Sequence, residues 1–361
     1  MTEPRIAWVT GGAGFIGSAL STSLVERFDK VIAIDNLLAQ VHPEGQPAAG
    51  FDSRVELLIG DVTSADTWET ALSQGKPEVV VHLAAETGTG QSLRESTRHT
   101  MVNVVGTSLM LDQLQSHQAI PRRILLCSSR AVYGEGAWRR EEGPQAGELF
   151  YPGMRTAAML GAGQWDFPGA QPVAQDARRV TVHPESVYGI TKCAQEDLLT
   201  LWGDAFGCEI VILRLQNVYG PGQTPGNPYT GIMSIFSRLA REGRVIPLYE
   251  DGLVRRDFVI IDDVARACLL ALEAKTPPRF PVDIGSGVYT TIAEAARIIA
   301  RIYGAPEPEV TGQWRHGDVR HAWADSSGAA QALGFQAEIG LEQGLQKLTN
   351  WIDQTWQRDK S

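Results

Sequence analysis

Tyr188 and Lys192 stand four residues apart in the stretch Tyr188-Gly189-Ile190-Thr191-Lys192, and Ser128-Ser129 lies about sixty residues earlier. On a helix, residues four apart share a face. The Lys192 ammonium favours a phenolate, which predicts that Tyr188 exchanges a proton well below the free phenol pKa of about 10. A Ser129 hydroxyl would complete the site by holding an alcohol or carbonyl oxygen against that phenol. Tyr-x-x-x-Lys occurs by chance on many helices, so its meaning depends on the elements that precede it.

Those elements begin at once. Ile6-Ala7-Trp8-Val9-Thr10 reads as a short buried strand, followed by Gly11-Gly12-Ala13-Gly14-Phe15-Ile16-Gly17 and a helical run over residues 18–28. Gly11 permits a tight turn, Gly14 lets a pyrophosphate approach the backbone, and Gly17 lets helix and strand pack closely. The helix start offers free N–H groups to phosphates. A second strand, residues 31–34, ends in Asp35-Asn36, about 20 residues on, where a ribose hydroxyl is usually caught. Asp35 would repel a 2′-phosphate, which favours NAD over NADP; the plainer alternative is that Asp35-Asn36 caps a turn. Further strands cover residues 55–59, ending in Gly60-Asp61-Val62, then 79–83, ending in Ala84-Ala85, then 124–127, running into Ser128-Ser129-Arg130-Ala131. His82 lies within an apolar strand and reads as a core histidine. A long helix is expected over residues 94–116. Strands separated by helices imply an α/β fold with a doubly wound parallel sheet. Ligands of such sheets bind at the carboxyl ends of the strands, where Gly11, Asp35, Asp61, Ala84 and Ser129 fall.

The 361 residues, 43% hydrophobic, suit one large or two small domains. The net charge of −10 argues against nonspecific nucleic-acid binding, so a phosphate-bearing ligand needs locally placed arginines. No apolar run approaches the roughly 18 residues of a membrane span, and the start Met1-Thr2-Glu3-Pro4-Arg5 leads into a strand without a signal peptide. Four scattered cysteines lack metal spacing, which points to free thiols in the cytoplasm. The expected division is a dinucleotide-binding Rossmann domain over residues 1–214, interrupted at about 135–183, and a smaller substrate-binding region over 215–361.

Together these residues resemble the extended short-chain dehydrogenase/reductase family, in its nucleotide-sugar epimerase and dehydratase branch. The matching phrases are His82-Leu83-Ala84-Ala85, Asn103-Val104-Val105-Gly106-Thr107, Leu213-Arg214-Leu215-Gln216-Asn217-Val218-Tyr219-Gly220-Pro221-Gly222, Arg256-Asp257-Phe258 and Arg315-His316-Gly317-Asp318. The resemblance implies that Gly11, Gly14, Phe15, Ile16, Gly17, Asp35, Asn36, Asp61, Val62, Leu83, Ala84, Ala85 and Asn103 contact or shape an NAD site. It implies Tyr188 as acid/base, Lys192 as its tuner and holder of the nicotinamide ribose, and Ser129 as partner of the reacting sugar oxygen. Thr87, Asn217, Arg256, Arg315 and Asp318 would hold a nucleotide-sugar substrate. The two arginines suit bidentate phosphate binding. A homodimer through the helices near 94–116 and 188–206 is implied in the same way, and no metal.

Within the branch, a 4,6-dehydratase would carry an Asp-Glu pair where this chain has Arg130-Ala131, and a decarboxylase a Glu at Ala131. Without that acid and base, elimination of water lacks its proton carriers. A 4-epimerase needs least, so Ser129-Arg130-Ala131-Val132-Tyr133 fits a minimal site unless Glu86 or Glu135 supplies a carboxylate. The phrases Leu83–Ser92 and Ser128–Gly136 resemble those of bacterial 4-epimerases acting on dTDP-L-rhamnose, which implies dTDP-6-deoxy-L-talose as product. Members of that group often carry cysteine pairs in the insertion; this chain has none there. The alternatives are a UDP-hexose or UDP-hexuronate 4-epimerase, a nucleotide-4-keto-sugar reductase, and a nucleotide sensor without catalysis.

The insertion shows no clear period and is expected to be a long loop, with Trp138, Arg139, Arg140, Tyr151 and Trp165 either a lid over the sugar or part of a mobile excursion. Ser186 is placed to cap the catalytic helix. Helices are expected near 230–242, 262–274, 291–303 and after Gly340, with at least one of Trp351 and Trp356 packed on the domain.

Overall fold

The computed structural model describes residues 4–223 and 231–358, with side chains as far as residue 355. Met1 to Glu3, the loop beyond Gln223, the helix start expected at Thr230 and the Trp356 side chain lie outside the described residues. Seven strands form one parallel sheet: β1 (Ile6–Thr10), β2 (Lys30–Asp35), β3 (Glu56–Ile59), β4 (Val79–His82), β5 (Arg123–Ser129), β6 (Glu209–Leu215) and β7 (Val282–Ile284). Their order is β7-β6-β5-β4-β1-β2-β3. The chain winds outward from β1 to β3, then crosses back to β4, so the connections leave β1 and β4 in opposite directions. That switch opens a crevice at the carboxyl ends of the strands.

Side chains alternate across a strand, and the alternation divides the core. Ala7, Val9, Val31, Ala33, Val79, Val81, Leu125 and Leu213 pack on one face with α1 (Phe15–Val25) and a later helix, residues 261–273. Ile6, Trp8, Ile32, Ile34, Val80, Ile124, Leu126 and Ile212 pack on the other with Trp68, Met110, Leu111, Leu114 and Leu199. These come from α2 (Ala65–Ser73), α3 (residues 96–116) and α4 (Val187–Phe206). Both faces are covered, which explains why the strands read as nearly unbroken apolar runs.

α3 starts at Ser96 and contains a π-helical turn, Met101–Val105, that no periodicity predicted. Asn103 lies in that turn. Its side chain accepts from the Glu86 amide at 2.8 Å and donates to the Glu86 carbonyl at 3.0 Å and to Thr191 Oγ1 at 2.9 Å. The extra residue in the turn is the kind of helix defect that re-aims a functional side chain.

The second region comprises α5 (Ile232–Arg241), α6 (Ile261–Glu273), α7 (Ile292–Tyr303) and α8 (Leu341–Arg358), with its own core of Met233, Phe236, Ile260, Ile299, Leu345 and Leu348. Trp351 packs against it. The expected boundary at 214/215 is not clean. β7 returns to the main sheet, pairing Val282 with Leu213, and α6 buries Val264, Ala267, Cys268 and Ala271 in the first core. Sequence order could not reveal this, because pairing partners β6 and β7 are some seventy residues apart.

The insertion also differs from the expected loop. Trp138–Arg140 pairs antiparallel with Leu149–Phe150 and with Ala170–Pro172 to make a three-stranded sheet. Trp138 is fully buried, edge-on to Phe167 at a centroid distance of 4.9 Å and 5.7 Å from the His321 ring. Strands of two and three residues are too short to show a period. Trp138→Ala is expected to cost about 3–5 kcal/mol in chemical denaturation. A cost near zero would mean that the insertion rides on the surface without contributing to the fold.

Candidate active site

A cleft of about 770 Å³ opens at the carboxyl ends of β1, β2, β4 and β5, roofed by α5 and the loops around Tyr249 and Arg315. Gly11, Gly14, Phe15, Ile16, Asp35, Asn36, Val62, Leu83, Ala84 and Ala85 line one half. Gly11 has φ +65°, and a Cβ there would press on the Ala84 backbone nitrogen at 2.8 Å. α1 starts after Gly14 with no side-chain cap and no acidic residue in its first turn. Its free amides at the cleft therefore suit the pyrophosphate of a dinucleotide. Asp35 Oδ2 accepts from the Ala13 amide at 3.0 Å and Oδ1 from the Leu37 amide at 2.9 Å. The turn-capping reading is thus present, and the same carboxylate still faces the cleft.

Three residues expected at the cofactor do not line the cleft. Gly17 serves packing, since a Cβ there would run into the Gly12 carbonyl. Asp61 accepts from Asn36 Nδ2 at 3.0 Å and from Thr63, so it acts through Asn36. Asn103 is fully buried and tied to Glu86 and Thr191, as described above.

α4 brings Tyr188 and Lys192 to β5. Ser186 caps the helix, its Oγ accepting from the Gly189 amide at 3.0 Å. Gly189 is required because a Cβ would press on the Ala131 carbonyl at 2.5 Å. The Ser129 hydroxyl and the Arg130 charge both favour the Tyr188 phenolate, yet burial outweighs both and raises the phenol pKa. The expectation of a lowered pKa is therefore not met. Lys192 Nζ instead donates to Gln195 Oε1 at 2.6 Å, and burial holds its pKa down at about 8. Gln195 Nε2 donates to Thr107 Oγ1 at 2.8 Å and meets His82 Nε2 at 3.1 Å. His82 is the core histidine expected; burial pushes its pKa down to about 3, so it stays neutral.

Thr87, Asn217, Arg256, Arg315 and Asp318 line the other half. Arg256 donates to the carbonyls of Arg255 at 2.8 Å, Arg320 at 3.0 Å and Val319 at 2.5 Å. Among the described residues it forms no ion pair, and burial, with the Arg130 charge, pulls its pKa down to about 9. Arg315 lies over the Tyr249 ring at 5.0 Å. Arg130, which the sequence reading treated only as a missing acid, is itself in the cleft wall, its Nε donating to Asn217 Oδ1 at 3.0 Å. Its signal was its place directly after Ser129 at a strand's carboxyl end. The apolar wall of Ile232, Ile235, Phe236, Tyr249 and Ile292 was missed as well. The spacing of Ile232, Ile235 and Phe236 on one helical face was visible, but a face turned to a ligand looks like a face turned to a core.

None of the insertion residues proposed as a lid reaches this cleft. The insertion braces it from behind. Arg155 is buried, donating to Glu135 Oε1 at 3.1 Å, to both Glu250 oxygens at 2.8 and 2.9 Å, and to the Asp318 carbonyl at 2.7 Å. Arg320 joins Glu250 to Asp251 and Asp166. Both carboxylates that could have changed the chemistry are occupied: Glu86 pairs with Arg98 at 2.8 Å, and Glu135 with Arg155 and the Arg320 amide at 2.8 Å. Neither is a free acid or base beside Ser129. Among the described residues no cluster of His, Cys, Asp or Glu could hold a metal, and no helix is long and apolar enough to cross a membrane.

Residues 7–285 match the model of the NAD dependent epimerase/dehydratase family, and the chain belongs to that family. It is 51% identical over 350 residues to a dTDP-L-rhamnose 4-epimerase of Burkholderia thailandensis, covering 97% of this chain and 95% of the relative. A UDP-glucose 4-epimerase of Mycolicibacterium smegmatis is 30% identical, over 95% of this chain and 97% of its own length. Among solved structures, a Thermotoga maritima UDP-glucose 4-epimerase with UDP-glucose superposes with TM-score 0.79 at 27% identity, covering 98% of this chain and 100% of that one. A Thermus thermophilus UDP-glucose 4-epimerase complexed with NAD gives 0.77 at 25%, covering 97% and 99%.

Arg155→Met leaves Glu135 and Glu250 without this buried cation. It is expected to destabilise the protein by about 3–5 kcal/mol and to raise KM for the substrate, because the Asp318 segment loses a support. Denaturant titration and steady-state kinetics check both. An unchanged KM would sever the insertion from the substrate wall.

Proposed function

We propose that the chain is an NAD-dependent nucleotide-sugar 4-epimerase that interconverts dTDP-L-rhamnose and dTDP-6-deoxy-L-talose. The observation that carries the reading is the Ser129 hydroxyl beside the Tyr188 phenol, set against cleft guanidiniums that form no ion pair among the described residues, with Glu86 and Glu135 both committed to arginines. The unpaired cations suit a diphosphate, since an acidic protein that leaves buried charges uncompensated holds them for an anion. NAD, held by Gly11, Gly14 and the amides at the start of α1, would supply reversible hydride exchange with C4 of the sugar. Tyr188 takes the C4 hydroxyl proton and later gives it back, and Ser129 holds the sugar oxygen in place. Gln195 fixes Lys192, which would hold the nicotinamide ribose. With Glu86 and Glu135 both held by arginines, neither carries a proton for elimination of water between proton removal and return. Inversion would follow if the sugar turned over in the cleft before its other face was reduced.

The sugar assignment draws on the relative named above, together with the Arg130-Ala131 pair in place of dehydratase carboxylates. UDP-glucose is the competing substrate, supported by the 30% relative. Asp35 supports NAD over its 2′-phosphorylated form and so weighs against a reductase. A cytoplasmic site of action fits the free thiols among the described residues. A homodimer would cover exposed Leu93, Met101 and Val105 at α3 and Ile190 and Leu201 on α4, which lie on neighbouring helices. A second copy is the occupant that such a self-facing pair of helices fits.

Purified protein is expected to retain NAD and to interconvert the two dTDP sugars without net change in nicotinamide absorbance. Tyr188→Phe should reduce kcat by about 10³-fold or more while leaving NAD bound. Near-full activity of that variant would remove Tyr188 from the mechanism, and turnover of UDP-glucose alone would replace the sugar. In light scattering, Ile190→Lys with Leu201→Lys is expected to give a monomer where the parent is a dimer; a parent that is already monomeric overturns the assembly.

A further inference from the structure

Arg130 has no task in the reaction as written. It opens the 3₁₀ turn Arg130–Tyr133 that leaves β5, directly after Ser129. Its Nε is held by Asn217, which fixes the plane of the guanidinium. Its Nη1 is sealed from solvent and has no hydrogen-bond partner. The charged groups facing it are Asp318, Tyr188 and Glu135, with Arg256 opposing. None of them makes an ion pair with it among the described residues, and Glu135 is committed to Arg155 and the Arg320 amide. A sealed donor on a cation costs folding free energy unless an acceptor completes it. Here the open side is the cleft.

The place of that acceptor follows from the neighbours. Ser129 is adjacent in the chain, and the Tyr188 phenol feels the charge, so the guanidinium lies where proton exchange occurs. The groups acting on Tyr188 are Ser129 and Cys127 on β5 and Arg130 on the turn. Lys192 is directed at Gln195. We propose that Arg130 is a further catalytic residue, whose guanidinium, part of the cleft wall, donates to a sugar oxygen beside the reacting carbon. This rests on the nucleotide-sugar reading above. Arg130 donates a hydrogen bond only, so the proton and hydride balance is unchanged.

The test compares NAD-loaded wild type with R130M and R130K. Three quantities are read: Tm without substrate, kcat and KM for dTDP-L-rhamnose against pH, and affinity for dTDP, which lacks the sugar. R130M should keep or raise Tm, because a poorly compensated buried cation is gone. Its kcat should fall about 100-fold, and the acid limb of its pH profile should move up by about one unit. R130K should recover part of the rate and of the shift, and dTDP affinity should hold in both variants. A lowered Tm with proportionate loss of rate would make Arg130 structural. Loss of dTDP affinity with an unmoved acid limb would make it a diphosphate ligand, and an unchanged kcat would remove it from the reaction. Each of these overturns the proposal. If wild type turns over a different nucleotide sugar, the sugar assignment falls and the variants are read on that sugar; the Tm comparison needs no substrate at all.

Discussion

Arg130 lies close enough to Arg256 to lower its hold on a proton, in a chain whose net charge is −10. Like charges brought together in a water-poor cleft repel, and burial adds to the penalty. The fold has to hold them against both. Asn217 fixes Arg130 through Nε, and three backbone carbonyls fix Arg256. Acidic residues nearby are numerous, but Glu135 and Glu250 are kept on Arg155 and Arg320. A charge-assisted network therefore stands behind the cleft, and its in-facing cations stay available to a substrate.

That arrangement gives the insertion its physical meaning. Arg155 arrives from the excursion between β5 and α4, yet it binds Glu250 and the Asp318 carbonyl in the second region. Buried ion pairs of this kind contribute little net stability against apolar packing, but breaking one leaves an uncompensated charge. The network specifies position, and position matters at a site whose donors must meet one sugar oxygen. The same demand explains the π turn at Met101–Val105, where Asn103 ties the strand end at Glu86 to Thr191 on the catalytic helix.

Much of the frame was legible in the chain. Burial on both faces made β1, β2, β4 and β5 visible as apolar runs, and the spacing of Gly11, Gly14 and Gly17 marked the strand-to-helix turn. Ser186, at a helix start, acted as the cap its type predicts. Gly17 serves the close packing its place in the turn predicts, whereas Asp61 and Asn103, expected to contact or shape the cofactor site, bond protein groups and do not line the cleft. A motif records that a residue is needed, and packing as well as ligand contact can need it. The insertion's strands of two or three residues, and β7 returning after a long gap, left no periodic trace.

The sequence by itself determined the residue types: a phenol and an ammonium one helical turn apart, a serine at a strand end, arginines in an acidic chain, and no Asp-Glu pair after Ser129. Those follow from local spacing and need no third dimension. The tertiary structure alone decided which charge acts on which group. Lys192, four residues from Tyr188, turns to Gln195, while Arg130, 58 residues before the phenol in the chain, brings its charge to it. Burial decided the sign of the phenol shift, because desolvation depends on what surrounds a group and not on its neighbours in sequence.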